Sequence, residues 1–566
     1  MTYSGLGTGA VNTFSIGDGM KFTVVGASQD FSVLGATSID AASLYAKSGG
    51  VLDLSGATTY TAATGYNADR ELSATNAGSL LNLSGLATLY RSQTDAADVR
   101  INATDGGTVT LTGISAFSDN PNGNGSGQIQ VSATGIGSLV DIPGITDINN
   151  VAFTVRDGGE ISGQLQTATN SSVTVRSTGV LDLSQLTDFS GSSLYTEDGA
   201  SVAMVAGNIN ASSLIARKGY QGSGGAQITT SATSYTAAIG YNADRELSAD
   251  GAGTLLDLSS LTTLTRSETN AADVRINATD GGTVTLTGIS TFTDNPNGNG
   301  TGRILISSTG TGSDVNLSGM TTMKGGDVTL NSGGVVQLGS LSSFRDGRIT
   351  MDSSASAQDV RVADSFSLGG GGIIDLTGAQ SGFVIGNPGV QAVTAGSVNV
   401  FETGVFTGSG VVKGTLLNGG DVGPGNSPGV LTVDNYMHTP DGTLMIELGG
   451  LVVGTEYDVL NVIDTAALDG MLELSIINGF TPMEGNVFDI ITAENITGTF
   501  DQLLLLGTAA DYMWDIQILQ NEVGTIDVLR LTAGAAAVPL PSAVWLFLSA
   551  AVCLVGIGRR KKSDHP

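Results

Sequence analysis

One short phrase, an apolar-x-apolar strand, a small or polar pair and then a second apolar stretch, returns along most of this chain and restricts what it can fold into. It reads Leu80-Leu-Asn-Leu-Ser-Gly-Leu-Ala-Thr-Leu89, then Thr108-Val-Thr-Leu-Thr-Gly-Ile-Ser-Ala-Phe117 and Leu139-Val-Asp-Ile-Pro-Gly-Ile-Thr-Asp-Ile148. It returns as Val180-Leu-Asp-Leu-Ser-Gln-Leu-Thr-Asp-Phe189, Leu255-Leu-Asp-Leu-Ser-Ser-Leu-Thr-Thr-Leu264 and Val335-Val-Gln-Leu-Gly-Ser-Leu-Ser-Ser-Phe344, with shorter echoes from Gly50 and Ile373. Apolar residues alternating at period two are strands. Recurrence every 28 to 41 residues, with two longer gaps, fits one or two coils of a parallel β-helix, in which each coil supplies two or three short strands. No coil buries its own inward face, so stacking at ~4.8 Å must build the core. Asn102, Asp105, Asn277 and Asp280 are expected at turns, where Asn and Asp tolerate left-handed backbone.

A second layer of repetition is a duplication at an offset of 175 residues, relating 59–150 to 234–325. Tyr66 to Ala74 recurs unchanged as Tyr241 to Ala249, Ala96 to Ser115 as Ala271 to Ser290, and Asp119 to Gly125 as Asp294 to Gly300. Copying whole coils with their exposed polar residues lengthens an array. A fibre or adhesin gains from that change and a single active site does not.

Composition supports a strand-and-turn body. Glycine fills 82 of 566 positions, about twice the usual ~7%. The net charge of −29 and a pI near 4.1 argue against nucleic acid and anionic membrane surfaces as partners of the body. One cysteine, Cys553, leaves no intramolecular disulfide, so stability must come from the backbone ladder and the stacked core.

Near the C-terminus, Val538-Pro539-Leu540-Pro541 precedes 17 uncharged residues, Ser542 to Gly558, and then Arg559-Arg560-Lys561-Lys562. As helix at ~1.5 Å per residue the run reaches about 25 Å, enough to span when the flanking cations snorkel. The basic cluster should stay cytoplasmic, which puts the body on the far side of the inner membrane. This stretch resembles the PEP-CTERM sorting signal, with Leu540 where the acidic residue of that motif stands. The resemblance implies an exopolysaccharide-producing Gram-negative host, recognition and cleavage by an exosortase, and transient single-pass anchoring in the inner membrane. Delivery to the cell surface or the extracellular matrix would follow. Met1 to Ala10 has neither a basic nor an apolar signal region, so an upstream signal peptide is expected.

Between about 386 and 532 the phrase gives way to glycine-rich strands, among them Val422-Gly-Pro-Gly-Asn-Ser-Pro-Gly429. This region resembles the C-terminal part of autotransporter passenger domains, and the body as a whole resembles pectin-lyase-like β-helix proteins. The resemblance implies a right-handed coil closed by a cap. The expected fold is therefore all-β: a right-handed parallel β-helix over 1–385, a β-rich capping region over 386–532, and a sorting segment over 533–566 with a transmembrane helix at 542–558.

Material for catalysis is thin, because the two histidines are His438 and His565. The enzyme alternative is a β-helix polysaccharide lyase or glycosidase using Asp69, Arg70, Glu71, Asp98, Arg100 and Asp105. Each is duplicated, as Asp244, Arg245, Glu246, Asp273, Arg275 and Asp280. Asp119 and Asp294, opening the two Asp-Asn-Pro-Asn-Gly-Asn-Gly stretches, are weak candidates for Ca²⁺ through oxygen ligands. The sequence thus supports an exported structural or adhesive protein with no catalytic residues and no obligatory cofactor. Its partners would be an exosortase and exopolysaccharide or a neighbouring cell surface.

Overall fold

The computed structural model describes residues 2–536 apart from 4–6, 34, 63–67, 92–96, 119–126, 220–223, 238–243, 267–271, 295–301, 346, 353–357, 363–364, 370–372, 377–380, 386–396, 410 and 426–427. The sorting motif, the apolar run 542–558, the basic cluster, Cys553, His565 and Asp119 lie outside the described residues. Among the described residues no helix is long and apolar enough to cross a membrane.

Among the described residues strand is the dominant regular structure, wound so that most strands pair in parallel with their counterparts one coil earlier and one coil later. Arg70–Thr75 pairs with Val99–Thr104, which pairs with Ile129–Thr134, which pairs with Val151–Arg156, all in register. Three-residue strands such as Leu80–Asn82 and Thr108–Thr110 form a second ladder. Others such as Thr88–Tyr90 and Phe117–Ser118 form a third. The register advances 20 residues where Ala152 meets Ser172 and 33 where Leu214 meets Leu247. Coil length is therefore variable while the ladder is not. The longer coils of the duplicated region carry their extra residues between the third strand and the next long strand, as from Thr61 to Arg70 and from Tyr90 to Val99.

The recurrent phrase explains the cross-section. In Leu80 to Leu89 the inward residues are Leu81, Leu83, Leu86 and Leu89, all fully buried. Alternation carries the first two; a turn closed by Leu86 N–H on the Leu83 carbonyl (3.0 Å) then carries the chain round to the third. The polar residue between the first two leucines holds that turn. Asn82 Oδ1 accepts the Ser84 N–H, as Asp53, Asp257 and Asn316 accept from Ser55, Ser259 and Ser318. On the long strands, Phe22, Leu44, Leu72, Ile101, Val131 and Phe153 stack in successive coils at 2% exposure or less. Burial at roughly 25 cal/mol per Å² repeated along such a column is the main stabilising term.

Asp105 and Asp280 occupy turns with φ of +52° and +50°, as expected of Asp. Asn102 and Asn277 do not. They sit inside the long strands Val99–Thr104 and Val274–Thr279, where Asn102 Oδ1 accepts from Ser132 Oγ and Asn277 Oδ1 from Ser307 Oγ, both at 2.8 Å. A hydrogen-bonding side chain on an outward ladder position is satisfied by the next coil, which removes the turn preference seen in isolated sequence.

The parallel ladder continues beyond residue 385. Ser397–Gly408, Val411–Pro424, Val430–His438 and Thr443–Leu448 keep the coiled pairing, which ends at Gln502–Leu506. The last two strands, Tyr512–Val523 and Ile526–Ala536, form an antiparallel hairpin, and the second of them also pairs antiparallel with Val487–Ala493. The hairpin closes the ladder formed by that strand and so limits the open edge that a stack otherwise presents.

Candidate functional site

The charged residues that the duplication repeats form coil-to-coil clamps. Asp69 Oδ1 accepts the backbone N–H of Asp98 at 2.9 Å, and Asp98 Oδ1 accepts that of Gln128 at 2.9 Å. The remaining oxygens hold Arg100, which lies 2.6 Å from Asp69 and 3.2 Å from Asp98. The second copy repeats this: Asp244 takes the Asp273 N–H, Asp273 takes the Arg303 N–H, and Arg275 lies 2.6 Å and 3.5 Å from the two carboxylates. Glu71 accepts from Asn102 Nδ2 one coil away. A carboxylate bonded to a backbone N–H and an arginine is a poor general acid or nucleophile.

Arg70 and Arg245 show where the copies diverge. Arg70 is buried, its Nε donating to the Ala41 carbonyl and its Nη2 to Asp18 at 2.8 Å. Arg245 is half-buried, with Nη1 on the Asp244 carbonyl at a long 3.4 Å.

Asp294, the described member of the calcium pair, meets a cation of the protein itself. Its Oδ1 lies 2.9 Å from Nε of Arg266, a fully buried arginine, and its Oδ2 accepts the Ile304 N–H at 3.2 Å. Arg91, 175 residues earlier, is also buried. These two arginines were not singled out in the sequence, although their shared offset was the available signal. Among the described residues no group of three or more His, Cys, Asp or Glu has the arrangement of a metal site.

Two further polar clusters lie in the C-terminal coils. A groove of about 400 Å³ is lined by Glu447, Asp458, Glu473 and Ser475 together with Gly423 to Gly425. Burial pushes the Asp458 carboxyl up to about 7 against the opposing pull of two N–H donors, Glu447 and Gly429, each at 2.8 Å. Burial, then nearby Asp421, also raises Glu473. Both oxygens of Asp458 are committed to main chain, so it ties two strand ends together. His438 is buried inside the coil, Nδ1 lying 3.2 Å from Tyr436 Oη, which accepts from Asn418 Nδ2 at 2.9 Å. Phe500 stacks edge-on against it, and burial lowers its pKa, which favours neutral imidazole. This is an interior polar stack of Asn418, Tyr436 and His438.

What remains open to a large partner is the outward face of the long strands. Asn102, Ser132, Thr154 and Thr174, all partly exposed, follow one another there in register, with Tyr45 and Tyr195 at equivalent positions, whereas Ser73, between Tyr45 and Asn102 in the same ladder, is buried. Lys47 lies 4.8 Å over the Tyr45 ring and Arg217 5.6 Å over that of Tyr195. Hydroxyls, amides and the occasional aromatic on a flat ladder suit hydrogen bonding to an extended polar polymer. No protein-family model matches this chain, and comparison with curated proteins finds no match.

Proposed function

We propose that this is an exported structural or adhesive protein of the cell envelope or biofilm matrix. It would be a right-handed parallel β-helix carried across the inner membrane, held there by a helix at 542–558 and cut by an exosortase near Val538 to Pro541. The observation that supports the structural role most strongly is the pair of Asp–Arg–Asp clamps, built twice with the same partners. Asp69, Asp98 and Arg100 and their copies Asp244, Asp273 and Arg275 join coil to coil, and copying them extends a rod. The polar outward face would then meet exopolysaccharide or a neighbouring cell. The sorting half of the reading rests on the resemblance of about residues 536 to 562 to PEP-CTERM tails.

The alternative, an enzyme acting on exopolysaccharide, makes a different forecast. Deleting 70–98 removes one full coil, because Arg70 pairs with Val99 and Asp69 then takes the place of Asp98. The rod should refold about 4.8 Å shorter and keep most of its retention on host polysaccharide. Combined Asp98→Ala and Asp273→Ala substitution should leave retention in place at some loss of stability. Abolished turnover of that polysaccharide in the double variant, with the fold intact by circular dichroism, would instead establish the enzyme.

A further inference from the structure

Several of the exposed apolar residues of the C-terminal coils lie at one corner. Leu451, Val452 and Val453 form the tip of the loop between Thr443–Leu448 and Val459–Val462, and are 49%, 53% and 56% exposed. One coil further, the loop 477–486 leaves Met483 67% exposed. The two loops are neighbours, since Leu448 pairs with Ile476 and a methyl placed on Gly449 would meet Ile477 at 3.1 Å. Leu506, 40% exposed, pairs with Ser475 at the same strand ends, and Met513 is 68% exposed at the start of the closing hairpin.

The last described residues run into this corner. Ala533 exchanges backbone hydrogen bonds with Gly485 and Asn486, and Ala536 pairs with Tyr512 beside Met513. From Ala536 to Ser542, where the uncharged run begins, the chain reaches at most about 20 Å. The corner is thus held close to wherever that run resides.

The loop tip also satisfies backbone donors within itself, two of them on the exposed carboxylate of Glu456. Leu451 and Val452 N–H both donate to Glu456 Oε2, at 2.8 and 3.0 Å, and Gly454 N–H donates to the Tyr457 carbonyl at 2.9 Å. With those donors satisfied internally, transfer of the tip to a less polar phase avoids much of the cost of stranded backbone groups. Exposed apolar residues gathered in one patch mark an interaction surface. We propose that this corner rests on the surface of a zwitterionic lipid bilayer, seating the last coil on the membrane before the chain is released. The exposed acids Glu484 and Asp511 at the same corner favour neutral headgroups over anionic ones. The proposal rests on the reading of 542–558 as a membrane span.

The test uses the full chain in phosphatidylcholine vesicles doped with shallow-brominated lipid, with fluorophores placed one at a time. Positions are the native Cys553, Val452→Cys in a Cys553→Ser background, and Ile136→Cys in the same background as a remote exposed control. The expected result is loss of fluorescence at 553 and 452 and none at 136, with quenching at 452 weakened by anionic lipid. Quenching at 553 alone would overturn the corner while leaving the span intact. No quenching at either would overturn both. Concentration-dependent burial of the 452 label without lipid would assign the patch to a second copy of the chain and overturn the lipid assignment.

Discussion

Replacing Asp294 with alanine is expected to lower the stability of the solenoid by about 3 to 5 kcal/mol, the usual consequence of removing one partner from a buried ion pair. Arg266 is fully buried with its Nε 2.9 Å from Asp294, so the substitution strips a carboxylate from a guanidinium that water does not reach. The comparison is Arg275→Ala, which removes a pair whose two side chains are 48% and 42% exposed, and exposed pairs are worth about 0 to 1 kcal/mol. Thermal or urea unfolding of the full chain followed by circular dichroism separates the two. Equal midpoints for Asp294→Ala and Arg275→Ala would mean that the Arg266 pair does not stabilise the fold. A combined Arg266→Met and Asp294→Leu variant should recover much of the loss, because apolar replacement removes the charge along with its partner.

Gly85→Ala should destabilise by about 1 to 3 kcal/mol through overpacking, despite being one methyl in the turn that follows the short strand Leu80–Asn82. A Cβ on Gly85 would lie 1.9 Å from the carbonyl oxygen of Ser55 in the coil beneath, and backbone cannot swing aside as a side-chain tip can. A Cβ added to Gly56 or Gly113 would likewise collide with a carbonyl of the preceding coil, that of Gly35 or Ser84. Gly207 supplies the control. Its nearest neighbour is a carbonyl at 4.0 Å and its φ is not left-handed, so Gly207→Ala should be neutral or slightly stabilising by restricting the unfolded chain. Matching unfolding midpoints for the two variants would show that coils slide apart more readily than this packing implies.

The inward column was legible because a two-residue period with four apolar anchors leaves one way to face the core, and Leu81, Leu83, Leu86 and Leu89 all take it. The misplaced residues have a common cause. Asn102 reads as a turn former locally, yet its partners Ser132 and Glu71 are 30 and 31 residues away, and local propensity carries no information about the next coil. Arg266 carries no local sign of its burial, since arginine is seldom fully buried; the carboxylate of Asp294 that meets it stands 28 residues on. The change of sequence character after 385 likewise does not interrupt the parallel pairing, which continues through longer strands such as Val411–Pro424. Backbone pairing tolerates changes of composition that a recurring phrase does not.

The clamps offset the repulsion between carboxylates that the ladder brings together on adjacent coils. Asp69 and Asp98 share Arg100, and Asp244 and Asp273 share Arg275, so carboxylates on adjacent coils are bridged by a cation and by backbone N–H donors. Each added copy brings its own bridging arginine, so the contacts between coils are reproduced as the array lengthens.

The most direct test of the account is the intact mass and location of the protein in its own host, with and without the host's candidate exosortase. Loss of the residues after about Val538 and appearance of the shortened chain at the surface or in the matrix, both dependent on that enzyme, is the predicted result. A full-length chain retained in the inner membrane irrespective of the enzyme would contradict it and leave 542–558 a permanent anchor.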